Sequence, residues 1–295
     1  MRSKQEFYFS VMEGLNESLL KDFIQRGLDE DVGNGDHTSL ACIPEDSVST
    51  ARLLVKDVGV IAGVQLAEEV FTKLDPNCKF ERFIDDGSDV FVKDEAFHIT
   101  CQSRALLMGE RLVLNSMQRM SGIATLSSRF AIEVEGLPVK ILDTRKTTPG
   151  LRFLEKWAVR IGGCYNYRDG LYDWIMIKDN HIDACGNITK AIDQVHQYLS
   201  DNHLNLDITV EVRNLVELYE VLDAKPIRRV MLDNFELPLL REAVHIIEDR
   251  CETEASGGIT LRNVREVAET GVNFISVGAL THSAGSLDLS LKVMK

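Results

Sequence analysis

The sequence is short of several things, and each shortage removes a class of protein. Its six cysteines (Cys42, Cys78, Cys101, Cys164, Cys185, Cys251) form no CxxC pair and stand near no histidines at finger-like spacing. A structural zinc site is therefore not expected, and free thiols fit a reducing cytosol better than a disulfide scaffold. No apolar run approaches the roughly 18 residues of a spanning helix. The N-terminal stretch MRSKQEFYFSVMEGLNESLLKDF lacks the apolar core and cleavage site of a secretory leader. The expectation is a soluble, cytoplasmic protein. Positive charge is scarce overall: 33 Lys and Arg stand against 46 Asp and Glu, a net charge of −13. That balance argues against nonspecific binding to nucleic acid or anionic membrane. No GxGxxG follows any strand-like run, which weighs against a dinucleotide-binding fold.

What is present divides into two halves of different rhythm. Residues 17–31 place Leu19, Leu20, Phe23, Ile24 and Leu28 on one helical stripe. From about 48 to 104 the pattern is strand-like and turn-punctuated, with a helix near 64–74. Residues 104–120 return to helical spacing, and Ser121-Gly122 is expected to break or kink that helix. This half reads as a compact α+β module.

In the second half short apolar runs alternate with helix-length segments: 139–143, 174–178, 208–212, 229–233, a weak run at 253–257, and 274–278. Alternation of this kind implies βαβ units and a parallel sheet. From Lys178 the runs end at Glu211, Asp233, Ser256 and Gly278, in steps of 33, 22, 23 and 22 residues. Tight, regular steps favour an open or incomplete (β/α) barrel of six or seven strands over a doubly wound sheet. The expected division is 1–114 for the first domain and 115–284 for the barrel, with the tail 285–295 packing back on the first domain.

The run ends carry the chemistry: Asp143-Thr144-Arg145-Lys146, Lys178-Asp179-Asn180-His181, Glu211, Asp233, Ser256-Gly257-Gly258 and Gly278. In a parallel barrel such ends converge on one mouth. A single polar group there is commonly a helix cap; six at one mouth are not so easily assigned. SGGITLRNV offers backbone N–H groups ahead of a helix, and VGALTHS follows, so the last two loops fit a phosphate site. Over residues 104–178 twelve basic residues face seven acidic ones, so this segment is +5 and the remainder −18. Local cations beside two acidic strand ends suggest a polyanion taken together with a divalent metal. The acids of FIDDGSD (83–89) lack a following Thr/Gly-rich phosphate loop and read as a hairpin turn. His37, His98, His196, His203 and His245 have no metal-ligand spacing, and His181 sits where it could orient Asp179 or a helix start.

GDHTS (35–39), GERLVLNSMQRMSGIAT (109–125), LDTRKTTPGLRFLEKWAV (142–159), GLYDWIMIKDNHI (170–182), EVRN (211–214), MLDN (231–234), SGGITLRNV (256–264) and SVGALTHS (276–283) occur in this order. Together they resemble the quinolinate phosphoribosyltransferase family (nicotinate-nucleotide pyrophosphorylase, carboxylating). TRKTTPG with IKDNHI is the specific part; SGG alone is not. The resemblance implies an N-terminal α/β sandwich packed on an open α/β barrel, in a homodimer whose Arg111 completes the partner's site. It implies transfer of phosphoribose from phosphoribosyl pyrophosphate to quinolinate with decarboxylation, giving nicotinate mononucleotide, CO2 and pyrophosphate with Mg2+, a step of NAD biosynthesis. By the same resemblance Arg111, Thr144, Arg145, Lys146, Tyr167, Arg168 and Lys178 hold quinolinate. Glu211 and Asp233 face ribose and metal, and Ser256, Gly257, Gly258, Gly278 and His282 hold phosphate. Lys146, Lys178, Glu211 and Asp233 are the catalytic candidates. One departure stands out: relatives commonly read Asn-His-Arg where this chain has Asn166-Tyr167-Arg168. Tyrosine donates a hydrogen bond but is not cationic near neutral pH. Two other readings remain, a family paralogue with a different acceptor and a Schiff-base barrel lyase using Lys178. The second needs a deprotonated lysine, which neighbouring carboxylates oppose.

Overall fold

The computed structural model describes residues 17–294, which form two compact units. One unit holds the described chain to Ser128, Thr148–Gly163, and the segment from Ser283 onward; the other holds Arg129–Thr147 and Cys164–His282. The sequence-based border at 114/115 falls inside the continuous helix Ser103–Glu133. The helix Arg152–Ile161, inside the stretch 115–284 assigned above to the barrel, belongs to the first unit.

The first unit is built on a four-stranded sheet. Its order is Leu289–Val293, Val48–Val55, Glu95–Gln102, Lys79–Arg82, all antiparallel. In the strand Val48–Val55 the buried residues Ala51, Leu53 and Val55 alternate with more exposed ones, as a half-buried antiparallel strand requires. The C-terminal strand pairs Ala51 with Val293 and Val55 with Leu289, so sequence-distant residues complete the sheet. The helix Glu17–Val32 buries Leu20, Ile24 and Leu28, one position per turn, which is its apolar stripe.

The helix Ser103–Glu133 does not break at Ser121-Gly122. Both residues serve packing. Ser121 is fully buried, and its hydroxyl accepts from Ala62 N at 2.9 Å and reaches Ala62 O at 3.2 Å. A Cβ on Gly122 would lie 1.9 Å from the Gly285 carbonyl oxygen, so only glycine allows that backbone approach. The FIDDGSD segment is a turn, but its flanking strands do not pair with each other. Asp89–Val90 pairs with Gly59–Val60, and Asp86 accepts from Val64 N at 2.8 Å at the start of the helix Val64–Leu74.

The second unit is a six-stranded sheet in the order Lys140–Leu142, Phe274–Ser276, Glu252–Ser256, Arg229–Asp233, Ile208–Val212, Ile175–Ile177. Every pairing is parallel. The end strands Lys140–Leu142 and Ile175–Ile177 are not paired, so the sheet is an open barrel; Tyr165 bridges to Leu142 at one end. Ile208–Val212 is buried at all five positions, the mark of a strand covered on both faces. Two asparagines cap helices of this unit: Asn187 accepts from Lys190 N and Asn214 from Glu217 N. Among the described residues no helix is long and apolar enough to cross a membrane. The six cysteines are thiols, and no disulfide joins them.

Candidate active site

Because all the barrel strands run the same way, their C-terminal ends share one mouth. A cavity of ≈ 650 Å³ opens there, lined by Thr144, Arg145, Lys146, Tyr167, Arg168, Lys178, Glu211 and Asp233, and by Ser256, Gly257, Gly258, Gly278 and His282. Met176, Met231, Asn234, Ile259, Thr260, Ser276 and Ala279 complete the wall. Thirteen of the fourteen residues singled out from sequence thus converge on one cavity. The exception is Arg111. It is exposed on the helix Ser103–Glu133 and lines a different cavity, within the first unit, with Phe23, Gly27 and Arg119. Arg119 is itself held by Glu155 at 2.9 and 3.1 Å and by the Ala284 carbonyl at 2.8 Å.

The cationic side of the mouth is tightly placed. Asp143, fully buried, accepts from Tyr167 N at 2.8 Å and from the Asn166 amide, so the loop carrying Arg168 is tied to the strand Lys140–Leu142. Burial, and then the nearby Arg145, lower the Arg168 guanidinium below its ordinary value. Two like charges held close in a partly buried cavity call for an anion. The Arg145 Nε–H is buried without a hydrogen-bond partner, which fits the same conclusion. Lys146 is exposed at the rim, and its carbonyl accepts from Thr281 Oγ1 at 2.9 Å, fixing the turn that presents it.

The acidic side lies on the central strands. Lys178 Nζ forms an ion pair with Glu211, whose residue is 8% exposed. Asp233 accepts from Ser256 Oγ at 2.6 Å and from Asn234 Nδ2 at 2.7 Å. Asn234 was not singled out from sequence. It stands at φ 54°, in the left-handed region that asparagine tolerates, and its side chain aims Asp233. Its signals in the sequence were its place directly after a strand and its position in the MLDN stretch. Gly257 (φ 89°) and Gly258 (φ 61°) form the turn after Glu252–Ser256. A Cβ on Gly257 would lie 2.1 Å from Asn234 Oδ1. His181 Nδ1 accepts from Lys178 N at 3.0 Å, so this histidine serves the helix start. Among the described residues no group of three or more His, Cys, Asp or Glu could hold a metal. Glu211 and Asp233 are the carboxylates that could hold a hard divalent cation such as Mg2+, which keeps few protein ligands.

The cavity therefore pairs a cluster of fixed cations with two carboxylates and a glycine turn. Family models agree with that chemistry: residues 36–121 match the quinolinate phosphoribosyl transferase N-terminal domain, and residues 123–292 its C-terminal domain. The chain belongs to the quinolinate phosphoribosyltransferase family. A "Quinolinate phosphoribosyltransferase [decarboxylating] 1b" of Nicotiana tabacum is 47% identical, with 93% of this chain and 82% of that protein aligned. A "Probable nicotinate-nucleotide pyrophosphorylase [carboxylating]" of Bacillus subtilis is 42% identical over 95% of each chain. NadC from Streptococcus pyogenes superposes with a TM-score of 0.88 at 35% identity, covering 95% of this chain and 99% of that one. The nicotinate-nucleotide pyrophosphorylase from Francisella tularensis gives 0.86 at 36%, over 95% and 97%. Within this quinolinate phosphoribosyltransferase architecture, the LDTRKTTPG motif supplies the cationic loop and IKDNHI supplies Lys178 and its helix start.

Proposed function

We propose that this cavity is the catalytic pocket of a carboxylating nicotinate-nucleotide diphosphorylase, and that the assigned residues act as follows. The substrates are quinolinate and phosphoribosyl pyrophosphate. Arg145, Lys146, Arg168 and Lys178 bind the two ring carboxylates, with Thr144 assisting; burying a dicarboxylate demands several fixed cations. The pyridine nitrogen bonds to the ribose anomeric carbon while the bond to pyrophosphate breaks, and pyrophosphate departs with that electron pair. The sugar passes through an oxocarbenium-like state, which Glu211 and Asp233 stabilise electrostatically. The product nitrogen is a cationic pyridinium. The adjacent carboxylate then leaves as CO2, the electron pair stays on the ring carbon, and a proton from solvent replaces it. Nicotinate mononucleotide results.

Glu211 and Asp233 would hold Mg2+, which supplies charge neutralisation to the leaving pyrophosphate when bound. Ser256, Gly257, Gly258, Gly278 and His282 hold the ribose phosphate. The active assembly is a homodimer to which Arg111 contributes in trans. In support, Arg111 is exposed and is absent from the residues that line the mouth. A reducing compartment such as the cytoplasm suits six cysteines that form no disulfide; plant relatives include chloroplastic and mitochondrial forms. Lys178 is already paired with Glu211, so a nucleophilic Schiff-base role is disfavoured.

The observation that carries the reading is the convergence of Arg145, Arg168 and Lys178 with Glu211, Asp233 and Gly257 in one cavity. The test is an assay with phosphoribosyl pyrophosphate, Mg2+ and carboxyl-labelled quinolinate, with nicotinate as competing acceptor. Labelled CO2 and strong preference for quinolinate are expected. Turnover of nicotinate alone would sink the assignment.

A further inference from the structure

Beneath the cavity lies a buried ionic cluster that the chemistry above does not use. Arg229, 5% exposed, opens the strand Arg229–Asp233, and Glu254, fully buried, sits in Glu252–Ser256. Arg229 Nη1 donates to Glu254 Oε2 at 3.2 Å, and its Nε and Nη2 donate to Glu252 at 3.1 and 2.9 Å. The guanidinium carbon stands 3.7 Å from the Phe274 ring centre, 4.9 Å from that of Tyr167 and 5.3 Å from that of Trp174. A buried ion pair is a poor device for stability, since apolar side chains fill a barrel interior at least as well. Its connections point instead to the mouth.

Ser276 Oγ donates to Glu254, and Arg229, which donates to Glu254, packs its guanidinium carbon 4.9 Å from the Tyr167 ring centre. The Tyr167 hydroxyl lies 2.7 Å from Thr209 Oγ1, which accepts from Trp174 Nε1 at 2.8 Å. The indole can only donate, so Thr209 Oγ1 accepts from Trp174 and shares a second hydrogen bond with the Tyr167 hydroxyl. The phenol hydroxyl is thus engaged by protein, and its ring is packed against Arg229 and Trp174. Its backbone N–H is engaged too, by Asp143 at 2.8 Å, and the next residue, Arg168, donates from Nη1 to the Trp174 carbonyl at 3.4 Å. Arg168 faces the like charge of Arg145. Without a brace the two guanidiniums would splay apart.

We propose that Arg229, Glu254 and Tyr167 form a positioning relay for the acceptor-binding Arg168, in which the Tyr167 hydroxyl bonds protein and not substrate. The tyrosine that stands where relatives commonly carry histidine is then a brace and not a ligand. The relay rests on the reading of the cavity as a dicarboxylate acceptor site.

The test uses the full-length enzyme and the variants Tyr167→Phe, Glu254→Gln and the double variant. KM for quinolinate and for phosphoribosyl pyrophosphate, kcat, calorimetric quinolinate binding and thermal melts are measured on each. Losing one relay hydrogen bond should raise the quinolinate KM and Kd about fivefold to tenfold. KM for phosphoribosyl pyrophosphate should move less than twofold. The double variant should be no worse than the poorer single variant, because both cut one chain. Tyr167→Phe keeps the ring and its stacking, so it separates the relay from gross unfolding. An unchanged quinolinate KM in folded Tyr167→Phe, equal rises in both KM values, or additive losses in the double variant would each overturn the relay. A loss in Tyr167→Phe that Glu254→Gln does not share would also overturn it, by marking the hydroxyl as a substrate ligand. If wild-type enzyme releases no CO2 from quinolinate, the functional reading fails and the relay falls with it.

Discussion

Lys178 and Glu211 are each other's counter-ions at the ends of adjacent strands, Ile175–Ile177 and Ile208–Val212. The glutamate side chain is nearly buried at 9%, and the lysine side chain is 40% exposed. Removing the lysine leaves a charge with little water around it, although exposure of the partner moderates the cost. Lys178→Met should lower kcat/KM by at least about a hundredfold, the scale of an electrostatic active-site group. It should also destabilise the fold by about 1–2 kcal/mol, less than the full cost of an unpaired buried charge. Adding Glu211→Gln should restore the melting temperature and not the activity. Steady-state kinetics and thermal melts of the single and double variants check this; a double variant as unstable as Lys178→Met would contradict the pairing argument.

At the scale of elements, the turn after Glu252–Ser256 is decided by a close approach as much as by φ. Gly257 (φ 89°) has Asn234 Oδ1 where a Cβ would be, at 2.1 Å, whereas Gly258 (φ 61°) has nothing within 4 Å. Gly257→Ala should therefore displace Asn234, release Asp233 and raise KM for phosphoribosyl pyrophosphate at least about tenfold, while Gly258→Ala suffers only left-handed strain of about 1 kcal/mol. Kinetics of the two alanine variants side by side distinguish a general intolerance of the loop from this specific contact. The long helix Ser103–Glu133 follows the same rule. Gly122→Ala meets a backbone carbonyl, Gly285 O, at 1.9 Å, so neither partner can rotate away. A loss of about 3 kcal/mol or more is expected in urea unfolding, typical of overpacking with backbone displacement.

For the whole molecule, the thiols predict an alkaline limit. Burial, then Asp75 and Cys78, push the Cys101 thiol up from 9.0 to about 12, and burial likewise raises Cys164 and Cys251. Below the unfolded value both states are protonated and nothing is lost. As pH rises past about 9 the unfolded thiols ionise first, the folded state binds more protons, and stability falls through the window from about 9 to 12. Cys101 and Cys164 should each cost about 1 kcal/mol between pH 8 and 10. Urea titrations at the two pH values measure the drop, and Cys101→Ala should lessen it. Assembly gives a second whole-molecule prediction. Inactive Arg111→Ala and Lys146→Ala proteins should partly recover activity when mixed, because one of the two sites in a mixed dimer is intact. Verified mixed dimers without activity would count against Arg111 acting in trans.

Local pattern carried much of the molecule. Strand and helix periods, their 22- and 23-residue steps, and the polar ends of strands are properties of neighbouring residues, and they pointed Thr144, Arg145, Lys146, Lys178, Glu211, Asp233, Ser256, Gly257, Gly258 and Gly278 to one mouth, while Tyr167 was marked by the family resemblance. The net charge of −13 was a poor guide to the ligand; the +5 segment 104–178 carries Arg145, Arg168 and Lys178 to the cavity. What sequence misread depends on partners distant along the chain. Ser121-Gly122 looks like a helix break, because propensity is local, and the Gly285 carbonyl that requires glycine lies more than 160 residues away. The helix Arg152–Ile161 reads as a barrel helix by its place in the alternation, yet it belongs to the first unit, where its Glu155 binds Arg119. Arg229 and Glu254 are charges in strand runs that periodicity treats as blemishes; only the parallel register, Glu254 beside Met231 and Phe274, brings them under Tyr167. Sequence alone thus determined the elements, their order and the chemistry at their ends. Tertiary structure decided which glycine is irreplaceable, to which unit a helix belongs and what holds Arg168 in place, because those depend on distances between residues that the chain does not connect.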